Sequence, residues 1–269
     1  MPSTDGRLAH SVNVIHLPGE DRLEDIDLLT YPFLCHELGH NLLFRHGDRF
    51  ITAFREHLKL VLADVRRKTL GVRGASRQIS EETTKQVHGY WNPTPNHYNW
   101  AHEIAVDAIS LWLSGPAYLA ALQDVMEEQG LDPRQLGQSH PPYAIRSRAV
   151  MAAAQKLDWS YYTGGIQALT DRWWSEREGQ NNLLVACADP RLIDQAVSTA
   201  LATCQTLSLP RCTSARLDAV ERALKHGSPV DFGIDLILAA WVKGKELTET
   251  RYDEWQEVAV LDLLREITE

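Results

Sequence analysis

Two histidines and a glutamate form the motif H-E-x-x-H near the start of the chain, at His36, Glu37 and His40. On an α-helix, residues four apart lie one turn apart on the same face, so both imidazole rings can present a nitrogen to one zinc ion. Glu37 is displaced around the helix by roughly 100° and borders the ion without having to bind it. It can therefore hold a water molecule and accept its proton. The motif predicts a hydrolytic zinc site.

The residues around the motif predict the helix that this chemistry requires. Thr30 is a candidate N-cap, Pro32 suits a first helical turn and Gly47 suits a helix end, which together predict a helix from about residue 31 to His46. Gly39 lies between the two histidines and leaves room for a facing strand or for substrate. The alternative is a surface helix that carries two unrelated histidines.

A second group of candidate residues, Glu103 and Asp107, lies four residues apart in an amphipathic stretch from Asn99 to Leu111. A carboxylate at Glu103 can supply a third zinc ligand and leave the fourth position to water. Asp107, one turn later, can accept the outer N–H of a zinc-binding histidine and fix its orientation. Two alternatives stay open at this point. His102 is a rival third ligand, and the two carboxylates could instead form a solvated acidic helix face.

The third stretch with candidate chemistry is the S-H-P-P segment at residues 139–142, which precedes a predicted helix. Its two prolines hold His140 and Tyr143 in a stiff, non-helical approach. From there His140 or Tyr143 could donate a hydrogen bond to the oxyanion of a tetrahedral intermediate. Arg146, about one turn into the helix, could pair with a carboxylate near the metal. The alternative is an ordinary helix start without a catalytic role.

In this order the three motifs resemble those of the gluzincin metallopeptidases, and they are most similar to the branch that contains the CAAX prenyl protease and the heat-shock protease HtpX. The resemblance covers roughly residues 10–155 and implies a zincin-like core. The chain lacks the membrane helices of that branch and so resembles its soluble relatives. The resemblance also implies roles for six residues: zinc binding by His36, His40 and Glu103, general base catalysis by Glu37, support of the zinc ligands by Asp107, and closure of the site by the segment of His140.

Composition and charge narrow the class of protein and its partners. The 269 residues are 44% hydrophobic and 23% charged, as in an ordinary soluble globular protein. A net charge of −9 argues against nucleic acid as the main partner, because no basic surplus is present to neutralise phosphates. No apolar run approaches the ~20 residues of a membrane span, so no membrane association is expected. Four cysteines without C-x-x-C spacing and no apolar leader predict a cytoplasmic location.

We expect a mainly α fold with a small β element. A zincin-like metallopeptidase domain is predicted for residues 1–158, with a helical module, residues 159–269, packed on it. The β element is the alternating stretch Ser11 to Leu17, which predicts a strand. The polar segment from Gly71 to Asn96 is predicted to be a connection, helical only around residues 80–87, that could overhang the cleft.

The motifs together predict a zinc-dependent peptidase that hydrolyses a peptide or protein substrate, with a regulatory protein as a further candidate partner. One alternative is a regulatory or interaction protein that uses the metallopeptidase-like half as a scaffold. The intact Glu37 disfavours it, because a decayed site would often lose the base first. Another alternative is a metal-dependent amide hydrolase that acts on a small molecule or a formylated terminus.

Overall fold

The computed structural model describes residues 28–70, 77–93, 99–128, 132–137, 139–175, 182–230 and 233–268. Within these ranges the chain is mainly helical and forms no strand, which confirms the predicted mainly α class. The strand predicted for residues 11–17 lies outside the described residues. The helices are α1 (Pro32–His46), α2 (Asp48–Leu70), α3 (Arg77–Trp91), α4 (Trp100–Ser114), α5 (Pro116–Glu128), α6 (Tyr143–Lys156), α7 (Gly164–Ser175), α8 (Asn182–Cys187), α9 (Pro190–Thr206), α10 (Ser214–His226), α11 (Ile234–Glu246) and α12 (Glu249–Thr268).

Helix α4 lies at the centre of the described structure. All of its residues except Leu113 are buried, and α1, α6 and α9 pack against it. The helix begins at a cap made by Asn99, whose side-chain oxygen accepts hydrogen bonds from the backbone N–H groups of Ala101 and His102. It ends at Gly115, whose φ of +54° suits glycine and whose missing β-carbon makes room for Cys212. Carboxylates on this helix are therefore placed in the interior.

Helix α1 has the bounds that the sequence predicts. It begins at Pro32, ends at His46 and is followed by Gly47, but its N-cap is Tyr31, which makes no side-chain capping hydrogen bond, so the predicted Thr30 cap is wrong. Its closest partner is α4, and Gly39 is the residue of α1 that lies against that helix. A facing helix, rather than a strand, thus occupies the space that this glycine leaves.

The segment after α2 is more helical than its polar composition suggests. Helix α3 spans Arg77–Trp91 and packs against α2 and α8. Val87 and Trp91, four residues apart, are fully buried, and the Trp91 indole N–H donates to the Cys187 carbonyl at 3.0 Å. None of residues 77–93 lines the cleft described below, so the predicted overhanging connection is wrong for these residues.

Helices on both sides of residue 158 contribute to one hydrophobic core. From the C-terminal part, α9 packs against α4, α2 and α6. A smaller apolar cluster joins Leu28, just before α1, to Ala240 and Tyr252 of α11 and α12. The division into domains at this residue stays a prediction. Among the described helices, none has the length and hydropathy needed to traverse a lipid bilayer.

Candidate metal centre

The side chains of the H-E-x-x-H motif meet at the buried side of α1. The candidate ligand atoms of His36, Glu37 and His40 all lie within 4.8 Å of one another, which is close enough for them to hold one metal ion. The two imidazole rings have centroids 4.9 Å apart and are nearly perpendicular. The one-turn spacing that the sequence indicates is thus realised, with both rings against α4.

Glu103 of α4 faces both imidazole rings. Its Oε2 lies 3.4 Å from His36 Nε2 and its Oε1 lies 3.5 Å from His40 Nε2. Ligands bonded to zinc at 2.0–2.1 Å in a tetrahedron are about 3.3 Å apart, and each histidine lies at about this distance from a different oxygen of the Glu103 carboxylate. The Glu103 residue is 1% exposed, and in the described part of the chain its Oε2 accepts no hydrogen bond of acceptable geometry. A buried, weakly satisfied carboxylate beside two imidazoles suits a cation site.

Asp107 links His36 to Arg146. Its Oδ1 lies 3.1 Å from His36 Nδ1, the ring nitrogen on the other side from Glu103. Arg146 of α6 donates from Nε to Oδ2 at 2.9 Å and from Nη2 to Oδ1 at 2.6 Å. Burial raises the pKa of Asp107, but Arg146 and His36 outweigh it and hold that pKa well below its usual range. Asp107 thus contacts a motif histidine, and Arg146 pairs with a carboxylate beside that histidine, as the sequence suggests for both residues.

The two histidines have different electrostatic environments. Burial lowers the pKa of His36, but contacts with the carboxylates of Asp107 and Glu103 outweigh it and raise that pKa to about 9. Burial also lowers the pKa of His40, here to about 4, although the charge of Glu103 opposes the change. At neutral pH, His40 is accordingly a neutral imidazole, the form that binds metals, whereas His36 is a cation that must lose a proton before it can bind one. For Glu103 itself, burial raises the pKa, and the nearby histidines lower it by more.

The alternatives for the third ligand are separated by burial and orientation. His102 is buried, but its Nδ1 lies 3.2 Å from the Asn99 side-chain oxygen and its ring packs near Phe50. Glu103, its neighbour in sequence, is the residue beside the two motif histidines. Glu103 and Asp107 are each 1% exposed, so a solvated acidic face is excluded.

His140 and Tyr143 lie in the wall of a cleft that opens onto these groups. The His140 side chain is 65% exposed, and its Nε2 lies 3.8 Å from Glu103 Oε1. Its Nδ1 lies 2.8 Å from the Ser139 hydroxyl. Tyr143, the first residue of α6, is half-buried. The cleft has a volume of about 700 Å³ and also reaches His36 and Glu37. Its apolar wall is formed by Phe33, Val125, Pro141, Pro142 and Tyr143.

Sequence reasoning missed Tyr118, a fully buried residue of α5. Its hydroxyl donates to Asp107 Oδ1 at 2.5 Å and lies 3.3 Å from His36 Nδ1. The available signal is weak: a tyrosine in the apolar stretch after Gly115 needs a hydrogen-bond partner if it is buried. Nothing in the sequence says which partner that is.

The wider comparisons neither extend nor contradict this picture. No protein-family model, curated protein or solved structure matches the chain. The resemblance to gluzincin metallopeptidases therefore depends on the three sequence motifs alone.

Proposed function

We propose that the protein is a zinc-dependent peptidase with a zincin-like core, in which His36, His40 and Glu103 bind the metal. The observation that carries this proposal is the position of the Glu103 carboxylate, 3.4 and 3.5 Å from the Nε2 atoms of the two motif histidines. Burying a carboxylate among imidazoles in a helix interface costs stability unless the group is compensated, so such a cluster is unusual as packing alone.

Four residues around the proposed ligands support this proposal by their positions. Zinc bound at this site would polarise the scissile carbonyl and lower the pKa of a coordinated water. Glu37 lines the cleft beside the ligands and accepts the proton of the attacking water, then returns it to the leaving amine. His140 or Tyr143, in the cleft wall, donates a hydrogen bond to the oxyanion. Asp107 holds His36 in place.

The cleft supports a peptide or an unfolded protein segment as the substrate. Its volume of about 700 Å³ lies within the range of sites that bind small ligands or a few residues of a chain. Its apolar wall suits uncharged side chains beside the scissile bond. Among the described residues that line the cleft, the only lysine or arginine is Arg146, which is buried and paired with Asp107.

The proposal is tested by measuring zinc content and cleavage of a labelled unstructured protein in the same set of variants. Glu37→Gln should keep zinc and lose hydrolysis by several orders of magnitude, because the base is removed and the ligands are not. His36→Ala and Glu103→Gln should lose zinc with retained helical circular dichroism. Glu56→Gln, on the exposed face of α2, is the matched control and should behave as wild type.

The outcomes separate the proposal from its alternatives. Unchanged turnover in Glu37→Gln would reject the mechanism, and a wild-type protein that takes up no zinc would reject the site. A zinc-loaded wild type that cuts neither proteins nor short peptides favours a scaffold role. In an active enzyme, His140→Ala or Tyr143→Phe should lower kcat by about 10²–10³-fold at unchanged zinc content, whichever of the two binds the oxyanion.

A further inference from the structure

The Tyr118 hydroxyl contacts both Asp107 and His36, whose Oδ1 and Nδ1 atoms lie 3.1 Å apart at the candidate metal centre. Its hydroxyl donates to Asp107 Oδ1 at 2.5 Å, and the same oxygen lies 3.3 Å from His36 Nδ1. Its ring is almost parallel to that of His36, at an interplanar angle of 13° and a centroid distance of 6.4 Å. Phe33 packs edge-on against the Tyr118 ring, with centroids 6.1 Å apart. The phenol is thus held by packing and by hydrogen bonds together.

We infer that Tyr118 is a positioning residue that keeps the proton of His36 on Nδ1 and so leaves Nε2 to bind the metal. This inference rests on the proposed zinc site. Because the Tyr118 O–H is donated to Asp107, the lone pairs of its oxygen are the part that faces His36 Nδ1. Asp107 Oδ1, at 3.1 Å from the same nitrogen, is a second acceptor. Two acceptors beside Nδ1 favour an N–H there, so that Nε2 is the nitrogen that would give up its proton and offer its lone pair to zinc.

The need for Tyr118 follows from the position of Asp107. Arg146 donates to both oxygens of the Asp107 carboxylate and so fixes its position. The arginine therefore acts on His36 only indirectly, through Asp107. Tyr118 adds a second contact to the imidazole through its hydroxyl, and its ring lies almost parallel to the imidazole at a centroid distance of 6.4 Å. The Tyr118 hydroxyl therefore helps to orient His36 without binding the metal itself.

Tyr118→Phe isolates the hydroxyl, because the ring and its packing are retained. Its zinc dissociation constant, measured by competition with a chelator, should be about 10–100-fold weaker than that of wild type. The ring ¹⁵N chemical shifts of His36 in the zinc-loaded protein should report Nε2 as the ligand in wild type and exchange broadening in the variant. Tyr252→Phe is the matched control, since Tyr252 is a buried tyrosine of α12 remote from α4. It should keep the wild-type zinc affinity and spectrum.

Two failures are distinguishable. If wild type binds zinc in a way that Glu103→Gln abolishes, and Tyr118→Phe binds it equally well with the same His36 shifts, the role of Tyr118 is overturned and the zinc site stands. If wild type binds no zinc, the proposed function fails and this inference fails with it. Ligation of zinc by His36 Nδ1 in wild type would also overturn the inference, and this measurement needs no variant.

Discussion

Gly39 of α1 lies against Val106 of α4 so closely that a β-carbon added at Gly39 would stand 2.9 Å from the Val106 Cγ1 atom. Real β-carbons essentially never approach another atom this closely. Val106 lies between Glu103 and Asp107 on α4, so this contact sets how near the two carboxylates come to the histidines of α1. Valine in a helix has one strongly preferred rotamer, and Val106 cannot readily turn away. The glycine therefore determines the helix separation at the candidate metal centre.

Gly39→Ala should force α1 and α4 apart. The expected cost is about 1–3 kcal/mol of the free energy of unfolding, measured by urea denaturation relative to a control with the same helical substitution. Gly89→Ala is that control, because Gly89 is an exposed residue of α3 with no atom within 4 Å of an added β-carbon. The control should gain up to about 1 kcal/mol from helix propensity. Equal stability of the two variants would show that the helix contact is not close-packed.

The parts of the site that could be predicted are those encoded by short-range spacing. The i,i+4 spacing of His36 and His40, with Pro32 and Gly47 near the two ends, predicts the motif helix, although Tyr31 rather than Thr30 is its N-cap. The spacing of Glu103 and Asp107 likewise indicated one helix face, and the structure places that face toward the histidines. Arg146 was expected to pair with a carboxylate, although spacing could not say with which one.

The parts that could not be predicted depend on contacts between distant residues. Tyr118 is 82 positions away from His36 in sequence, and its partners are fixed only by the packing of α5 beside α1 and α4. Helix α3 is predicted only in its middle, around residues 80–87, for a different reason. Its buried face is narrow, with Val87 and Trp91 one turn apart, so polar residues dominate its sequence. Burial of α3 comes from helices α2 and α8, which local periodicity does not reveal.

Removing Arg146 should leave the buried Asp107 carboxylate without its bidentate cation, with only Tyr118 and His36 beside it. Asp107 is 1% exposed and Arg146 is 9% exposed, so water cannot replace the guanidinium. Arg146→Met is expected to lower the free energy of unfolding by about 3–5 kcal/mol in urea denaturation. The double variant Asp107→Asn with Arg146→Met should recover a large part of this loss, because no unpaired charge remains.

A second arginine provides the control for this pair. Arg191 of α9 binds Asp64 and Asp189, but its side chain is 43% exposed and its charges are screened by water. Arg191→Met should therefore lose only a small fraction of what Arg146→Met loses. The burial argument would be wrong if the two single variants were equally stable, or if the double variant were less stable than Arg146→Met.

The buried thiols should make the protein less stable in alkaline solution. Burial raises the pKa of Cys187 from the ordinary thiol value of 9.0 to about 12, and it raises the pKa of Cys35 to about 11. The folded chain thus keeps thiol protons that the unfolded chain loses near pH 9, so the free energy of unfolding falls as the pH rises from there toward the folded pKa values. Between pH 8 and pH 10 one such thiol should account for about 1–2 kcal/mol.

Cys187→Ala isolates the contribution of one thiol to this alkaline loss. Tyrosines and lysines also titrate in this range, but they are common to wild type and variant, so their effects cancel in the difference. The variant leaves the Cys187 carbonyl in place to accept the hydrogen bond from Trp91. Urea denaturation at pH 8 and pH 10 gives the decline in the free energy of unfolding between the two values. This decline should be about 1–2 kcal/mol smaller in the variant than in wild type, the contribution of one thiol. Identical declines would mean that the Cys187 thiol ionises as readily in the folded chain as in the unfolded one.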